Sequence, residues 1–305
     1  MGDLPRPLYI VDLLTNDVRP LPDYSDYALY EQFGPHSGST HEVMGWFDNE
    51  RIALRAGGLL VANKDGSSFQ HRNFPNLTGS DNLFAIQLLP DRKTMFVWVN
   101  HEFYLRDAHS GDIRQIGKWY QGAWYDQIQA SPDGAYISYL APEVGRQGMN
   151  WQHMSLSIQR FATDSRHLIM GSGVWDHRPA WSPDSSRIAF ARTTVVPSGR
   201  ASIFQSEKAD TDIYIATVAD LKVHQLTTFT GVHNRDIQWT PGGNLLLAST
   251  YGSGNDTFGI VTISATTGAT SRLWTPPPGE ALTLSTLFPL EPSGMPGVGA
   301  DPLQP

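Results

Sequence analysis

The sequence predicts an all-β protein, a six-bladed β-propeller of four-stranded antiparallel blades with one blade closed jointly by N- and C-terminal strands. Three observations lead there. One phrase recurs along the 305 residues: Ala130-Ser-Pro-Asp-Gly-Ala-Tyr-Ile-Ser-Tyr139, Trp181-Ser-Pro-Asp-Ser-Ser-Arg-Ile-Ala-Phe190 and Trp239-Thr-Pro-Gly-Gly-Asn-Leu-Leu-Leu-Ala248. Leu88-Leu-Pro-Asp-Arg-Lys-Thr-Met-Phe-Val97 fits the same plan, and Trp46-Phe-Asp-Asn-Glu-Arg-Ile-Ala-Leu54 fits it with the proline position missing. The anchor prolines Pro90, Pro132, Pro183 and Pro241 lie 42, 51 and 58 residues apart, and Trp46 precedes Leu88 by another 42. Periods of this size with strand–turn–strand content mark an array of small sheets. Finally, 28 Gly and 21 Pro are spread along a chain that carries 9 Trp, 13 Phe and 11 Tyr, a composition of many short strands and turns.

Each element follows in order. Residues 8–13 and 17–21 read as a third and fourth strand with no first pair ahead of them. In the fourth blade, 155–161 and 166–170 are strands around a turn at 163–165. In the fifth, 178–181 ends a first strand and Ser182-Pro-Asp-Ser185 is the turn. There proline presets φ and Asp184 can accept from nearby amides. Strands at 187–192, 212–218 and 222–228 complete that blade. In the sixth, 258–264 leads through a turn at 266–268 into 271–274. Residues 284–290, followed by 291–294, fall in register with the strand-plus-turn anchor, so the two termini share a blade and remove two exposed edges. The prediction is one domain over 1–294 and a flexible tail over 295–305.

Several function classes are excluded. Net charge is −8 and no run of lysine or arginine occurs, which argues against a nucleic-acid partner. Cysteine is absent, and with it disulfides, thiolate metal sites and cysteine nucleophiles. No stretch approaches the ~18 apolar residues of a membrane span. As written the chain reads as cytoplasmic; a periplasmic or secreted protein whose leader had been removed would look the same. There is no Gly-x-Ser-x-Gly elbow and no phosphate-binding glycine loop.

Two stretches resemble the TolB-type, WD-like propeller repeat. One runs Asp212-Ile-Tyr-Ile-Ala-Thr-Val, His224-Gln-Leu-Thr-Thr and Ile237-Gln-Trp-Thr-Pro-Gly-Gly243; the other is His177-Arg-Pro-Ala-Trp-Ser-Pro-Asp184 with Ile188-Ala-Phe190. That family includes the periplasmic protein TolB, the propellers of prolyl-oligopeptidase-like enzymes and a class of oligogalacturonide lyases. The resemblance implies a fold far more sharply than a function. Its motif residues are structural: tryptophan packs between sheets, and Ser-Pro-Asp-Gly makes the turn.

Alternation of strand direction divides the loops between two faces. The Ser-Pro-Asp-Gly turns share one face with the third-to-fourth turns. The other face carries the long connections 23–40, 142–152 and 193–210, beside very short ones at 56–58 and 100–101. This loop-rich face is where a protein or peptide partner is expected, with Arg146, Trp151, Arg200 and Phe204 as contacts. Residues entering the innermost strands ring the axis there. His41, Glu42, Asp126, His177, Arg178, His233, Arg235 and Asp236 are the candidates for holding a small polar ligand. Pairing of Arg178 with Asp126 or Asp236 is the structural alternative. No cofactor is required by any motif. The lyase resemblance nevertheless points to one alternative, a divalent metal held by His41, Asp126, His177 and His233 for a metal-assisted lyase or hydrolase acting on a carbohydrate or small polar substrate. The leading expectation is a non-catalytic scaffold.

Overall fold

The structure is a computed structural model that describes residues 9–11, 18–20, 42–46, 51–55, 59–63, 65, 69–72, 83–89, 91, 93–99, 102–107, 110–118, 124–145, 148–161, 165–168, 174–194, 211–229, 232–252 and 259–275. Every described element is a strand or a turn. An N-terminal pair, β1 (Tyr9–Val11) and β2 (Val18–Pro20), is followed by five four-stranded antiparallel units. The first unit is β3 (Glu42–Trp46), β4 (Arg51–Arg55), β5 (Leu59–Asn63) and β6 (Phe69–Arg72). Next come β7 (Leu83–Leu88), β8 (Thr94–Val99), β9 (Glu102–Asp107) and β10 (Ile113–Lys118). The third unit is β11 (Trp124–Ala130), β12 (Tyr136–Gly145), β13 (Gly148–Arg160) and β14 (Ser165–Leu168). The fourth is β15 (Val174–Trp181), β16 (Arg187–Thr194), β17 (Thr211–Thr217) and β18 (Val223–Gln225). The last is β19 (Val232–Trp239), β20 (Leu245–Gly252), β21 (Gly259–Ser264) and β22 (Thr270–Trp274). One parallel pairing, Met154 of β13 with Trp175 of β15, joins the third and fourth units.

Successive first strands touch: β3 meets β7, β7 meets β11, β11 meets β15 and β15 meets β19. The units therefore stack face to face about their first strands, while fourth strands such as β10 lie toward solvent. The apolar core fills the interfaces. Trp98, Phe96 and Phe103 of the second unit pack on Ile137, Tyr139 and Ala141 of the third. Leu156 and Ile158 meet Trp181, Ile188 and Phe190. Ala189, Ala191 and Ile215 meet Ile237, Trp239 and Leu246. Strand β16 is buried on both faces at Ile188, Ala189, Phe190 and Ala191, which explains its unbroken apolar run. Full burial of each large side chain contributes about 1.5–3 kcal/mol.

The repeated phrase makes one turn four times. In each, the N–H of the residue before the anchor proline donates to the carbonyl five residues on: Leu89 to Thr94, Ser131 to Tyr136, Ser182 to Arg187 and Thr240 to Leu245. Asp184 accepts from the Ser182 hydroxyl at 2.6 Å and the Ser186 N–H at 3.1 Å; the Ser182 bond holds its carboxyl down to about 2. The fourth turn residue is left-handed, Gly134 and Gly243 at φ 67° and Ser185 at 60°. Neighbouring units are then stitched together. Trp181 Nε1 donates to Ser138 Oγ at 3.0 Å, and Trp239 Nε1 to the Ala180 carbonyl at 2.9 Å. Arg187 donates to the Gly243 carbonyl at 2.8 Å and lies over the Trp239 ring. The tryptophans thus pack between sheets, as the motif implies, and also carry a directional bond to the unit before.

One expectation changes. Residues 142–152 are not a loose connection, because β12 and β13 continue through them as a hairpin arm pairing Glu143 with Asn150, Val144 with Met149 and Gly145 with Gly148. Pro142 suggests a break, since it lacks an N–H, but a register slip between Pro142 and Glu143 absorbs it. The N-terminal strand pair forms as expected. Residues 284–290 and the 295–305 tail lie outside the described residues.

Candidate functional site

The first strands share a feature that alternation alone does not reveal. Each slips in register against its second strand just before the anchor: between Val43 and Gly45, Leu83 and Ala85, Trp124 and Gln129, His177 and Ala180, and Asn234 and Ile237. Such bulges bend a strand and re-aim its side chains. Asp126, Arg178, Arg235 and Asp236 all fall within these slips.

The fourth unit shows the geometry most fully. Arg178 sits at φ 49°, a conformation that non-glycine residues seldom adopt. Its Nε lies 3.7 Å from Asp236 Oδ1, linking β15 to β19, with the arginine side chain 47% exposed and the aspartate 9%. Asp236 Oδ2 also accepts from Ser249 Oγ at 3.1 Å. Beside Arg178, His177 Nε2 faces Thr193 Oγ1 at 3.3 Å. Burial, and secondarily the Arg178 cation, push this imidazole down to about 3, so it is neutral at physiological pH.

One residue earlier, Asp176 is fully buried and forms a fork with Arg192, Nε at 2.6 Å and Nη2 at 3.0 Å, while accepting the Leu156 N–H at 2.9 Å. The Arg192 guanidinium lies 5.0 Å from the Phe190 ring and 5.1 Å from that of Tyr214. Burial first, then the charge of Asp212, raises the Tyr214 hydroxyl above its ordinary value. Asp212 itself ties the unit to its exit, accepting the Phe229 N–H at 2.6 Å and Gln225 Nε2 at 2.9 Å.

The expected site residues divide clearly. Arg178 and Asp236 come together, and His177 stands next to them. Glu42, Asp126, His233 and Arg235 are placed by backbone only, at the start of β3, in the β11 slip and in β19. Trp151 lies in the hairpin arm of β13. His41, Arg146, Arg200 and Phe204 lie outside the described residues. Among the described residues no group of three or more His, Asp or Glu is gathered to hold a metal. Sequence reasoning missed Arg192, Thr193, Asp212 and Tyr214. The pairs nearest the turn, Ala180 with Ala189 and Trp181 with Ile188, carried down the strands would set Asp176 opposite Thr193; the slip between His177 and Ala180 sets it opposite Arg192, so the turn position alone does not mark the pair.

No family model matches the chain, and no curated protein matches it in sequence. Solved structures do match in shape. A candidate TolB from Agrobacterium tumefaciens superposes with a TM-score of 0.58 over 89% of this chain and 89% of its own, at 14% identity. The fold is a TolB-like β-propeller. A chain of the nidogen/laminin complex reaches 0.54 at 8% identity over 90% of this chain and 91% of its own. An oligogalacturonate lyase in complex with manganese reaches 0.52 at 16% identity over 76% of this chain, which spans 64% of the lyase's length. At these identities the TolB-like likeness is one of fold. No described helix is long and apolar enough to cross a membrane.

Proposed function

We propose that this TolB-like propeller has six blades, closed by a blade shared between the termini, and serves as a non-catalytic scaffold that engages a protein or peptide partner through its loop-rich face. The observation that carries the reading is the inequality of the two faces. The Ser-Pro-Asp face is finished: its turns are closed by their own hydrogen bonds and stitched to one another. The opposite face carries the β12–β13 arm, on the side of the ion pairs Asp176–Arg192 and Arg178–Asp236. A rigid ring presenting such elements has less ordering entropy to lose on binding.

A peptide-display selection on the immobilised protein tests the scaffold reading. Enriched peptides are expected to bind the wild type and to lose binding when residues 195–208 are deleted from a chain that still melts cooperatively. Unchanged binding by the deletion variant removes that connection from the interface. Ring closure has its own test. The chain has no cysteine, so paired cysteines placed in 9–11 and 284–290 report an N-to-C contact by a gel shift under oxidation.

The competing reading is a metal-assisted lyase or hydrolase, supported by the manganese-bound lyase among the similar folds. His177 fits that role poorly: its Nε2 is turned to Thr193 Oγ1, and a guanidinium stands beside it where a second cation would be repelled. Stoichiometric retention of a divalent metal, with cleavage of oligogalacturonate, would replace the scaffold proposal.

A further inference from the structure

Buried serine hydroxyls in this protein are put to use. Ser131 Oγ donates to Asp133, Ser182 Oγ to Asp184 and Ser249 Oγ to Asp236. Ser138 Oγ accepts from the Trp181 indole, and Ser185 Oγ from the Asp133 N–H. Ser155 and Ser157 differ. Both are fully buried, and neither hydroxyl has a hydrogen-bond partner in the protein. A buried hydroxyl without a partner loses its hydration and gains nothing in return, so each one calls for a physical reason.

The two hydroxyls point the same way. They alternate along β13 with Leu156 and Ile158, which pack on the fourth unit, so Ser155 and Ser157 face the second unit. Their cross-strand partners Ala141 and Tyr139 belong to the cluster that holds Phe96 and Phe103, whose rings offer no lone pair. Gln159 continues the same face, and its Oε1 accepts from the Tyr139 hydroxyl at 3.4 Å, a long contact.

Ser157 is also small for its place in the repeat. Seven residues past each anchor proline stand Val97, Tyr139, Phe190 and Ala248. Their third-strand partners are Tyr104, Ser157, Tyr214 and Val261. Beside the aromatic pair Phe190–Tyr214 of the fourth unit, the pair Tyr139–Ser157 lacks one ring and offers a hydroxyl in its place.

We infer that Ser155 and Ser157 form an internal water-binding site between the second and third units, occupied by at least one ordered water bonded to their hydroxyls. Such waters are held by buried polar groups that the protein leaves unpaired, and apolar cavities stay dry. The site is independent of the loop-face proposal, which stands or falls without it.

A crystal structure of the full chain, at a resolution that shows ordered water, tests the site directly. Density is expected within about 3.2 Å of at least one of the two Oγ atoms. In solution, oxygen-17 magnetic relaxation counts long-lived internal waters. The count should fall by at least one in the double variant Ser155→Ala with Ser157→Ala, whose site is apolar. Ser157→Ala alone should melt about 2 °C below the wild type, because the water is left short of a partner. A dry, unpaired hydroxyl predicts the reverse, since removing it relieves the desolvation cost. Absence of density at both hydroxyls, an unchanged water count in the double variant, or a Ser157→Ala protein that melts above the wild type overturns the inference.

Discussion

The Ser185 hydroxyl accepts a hydrogen bond from the Asp133 N–H at 3.0 Å, joining the fourth turn residue of one repeat to the turn of the repeat before. Ser185 holds φ 60° in the position that glycine occupies in the two related turns. The side chain therefore stabilises the contact between neighbouring units while its own backbone is strained. Ser185→Ala removes the bond and keeps the strain, and should cost about 1–2 kcal/mol. Ser185→Gly removes both and should fall within about 0.5 kcal/mol of the wild type. Chemical denaturation orders the three proteins; an alanine variant as stable as the glycine one would contradict the account.

Trp181 is predicted to act through its N–H as well as its bulk. Trp181→Phe strips the bond to Ser138 Oγ and leaves a buried hydroxyl without its donor, at a cost of about 1–3 kcal/mol. Ser138→Ala alone leaves the indole N–H in the same position. A double-mutant cycle should return a coupling of about 1 kcal/mol, and strict additivity would show that the bond contributes nothing.

The Asp176–Arg192 fork is buried, so losing one partner strands a charge. Asp176→Ala is expected to destabilise by about 3–5 kcal/mol, measured as a lowered denaturant midpoint. Replacing both residues with apolar ones of similar volume should recover much of that loss. A double variant no better than the single one would mean that the Leu156 N–H bond to Asp176 dominates.

His177 gives stability a specific pH dependence. Its native imidazole is held down to about 3, whereas in the unfolded chain it titrates near its ordinary 6.5. Its contribution is complete above that ordinary value and is lost as pH falls toward 3, because only the unfolded chain takes up the proton across that window. The slope reaches about 1.4 kcal/mol per pH unit. Urea unfolding from pH 7 to pH 4 should show the wild type losing stability faster than His177→Gln. A constant difference between them would place the imidazole in contact with water.

Much of this architecture is written locally. Ser182, Pro183 and Asp184 specify a turn through proline's fixed φ and a carboxylate within reach of neighbouring amides, and the same chemistry recurs in the related repeats. The stretch 142–152 reads in the sequence as a long connection, whereas the pairing partner that extends its strands comes from the other arm of the hairpin. The bulges were illegible for a similar reason. A register slip belongs to two strands at once, and nothing at Arg178 announces a left-handed φ.

From the amino acids alone came the all-β class, the repeat, the turn chemistry and the positions of the tryptophans, since each is written as a local pattern of residue types. The tertiary structure decided which charges meet. Arg178 lies within reach of Asp236 because adjacent units stack about their first strands, and Arg192 stays closed on Asp176 because both are enclosed between sheets. Distance and burial between separate strands set those pairings, and they are properties of the packed chain.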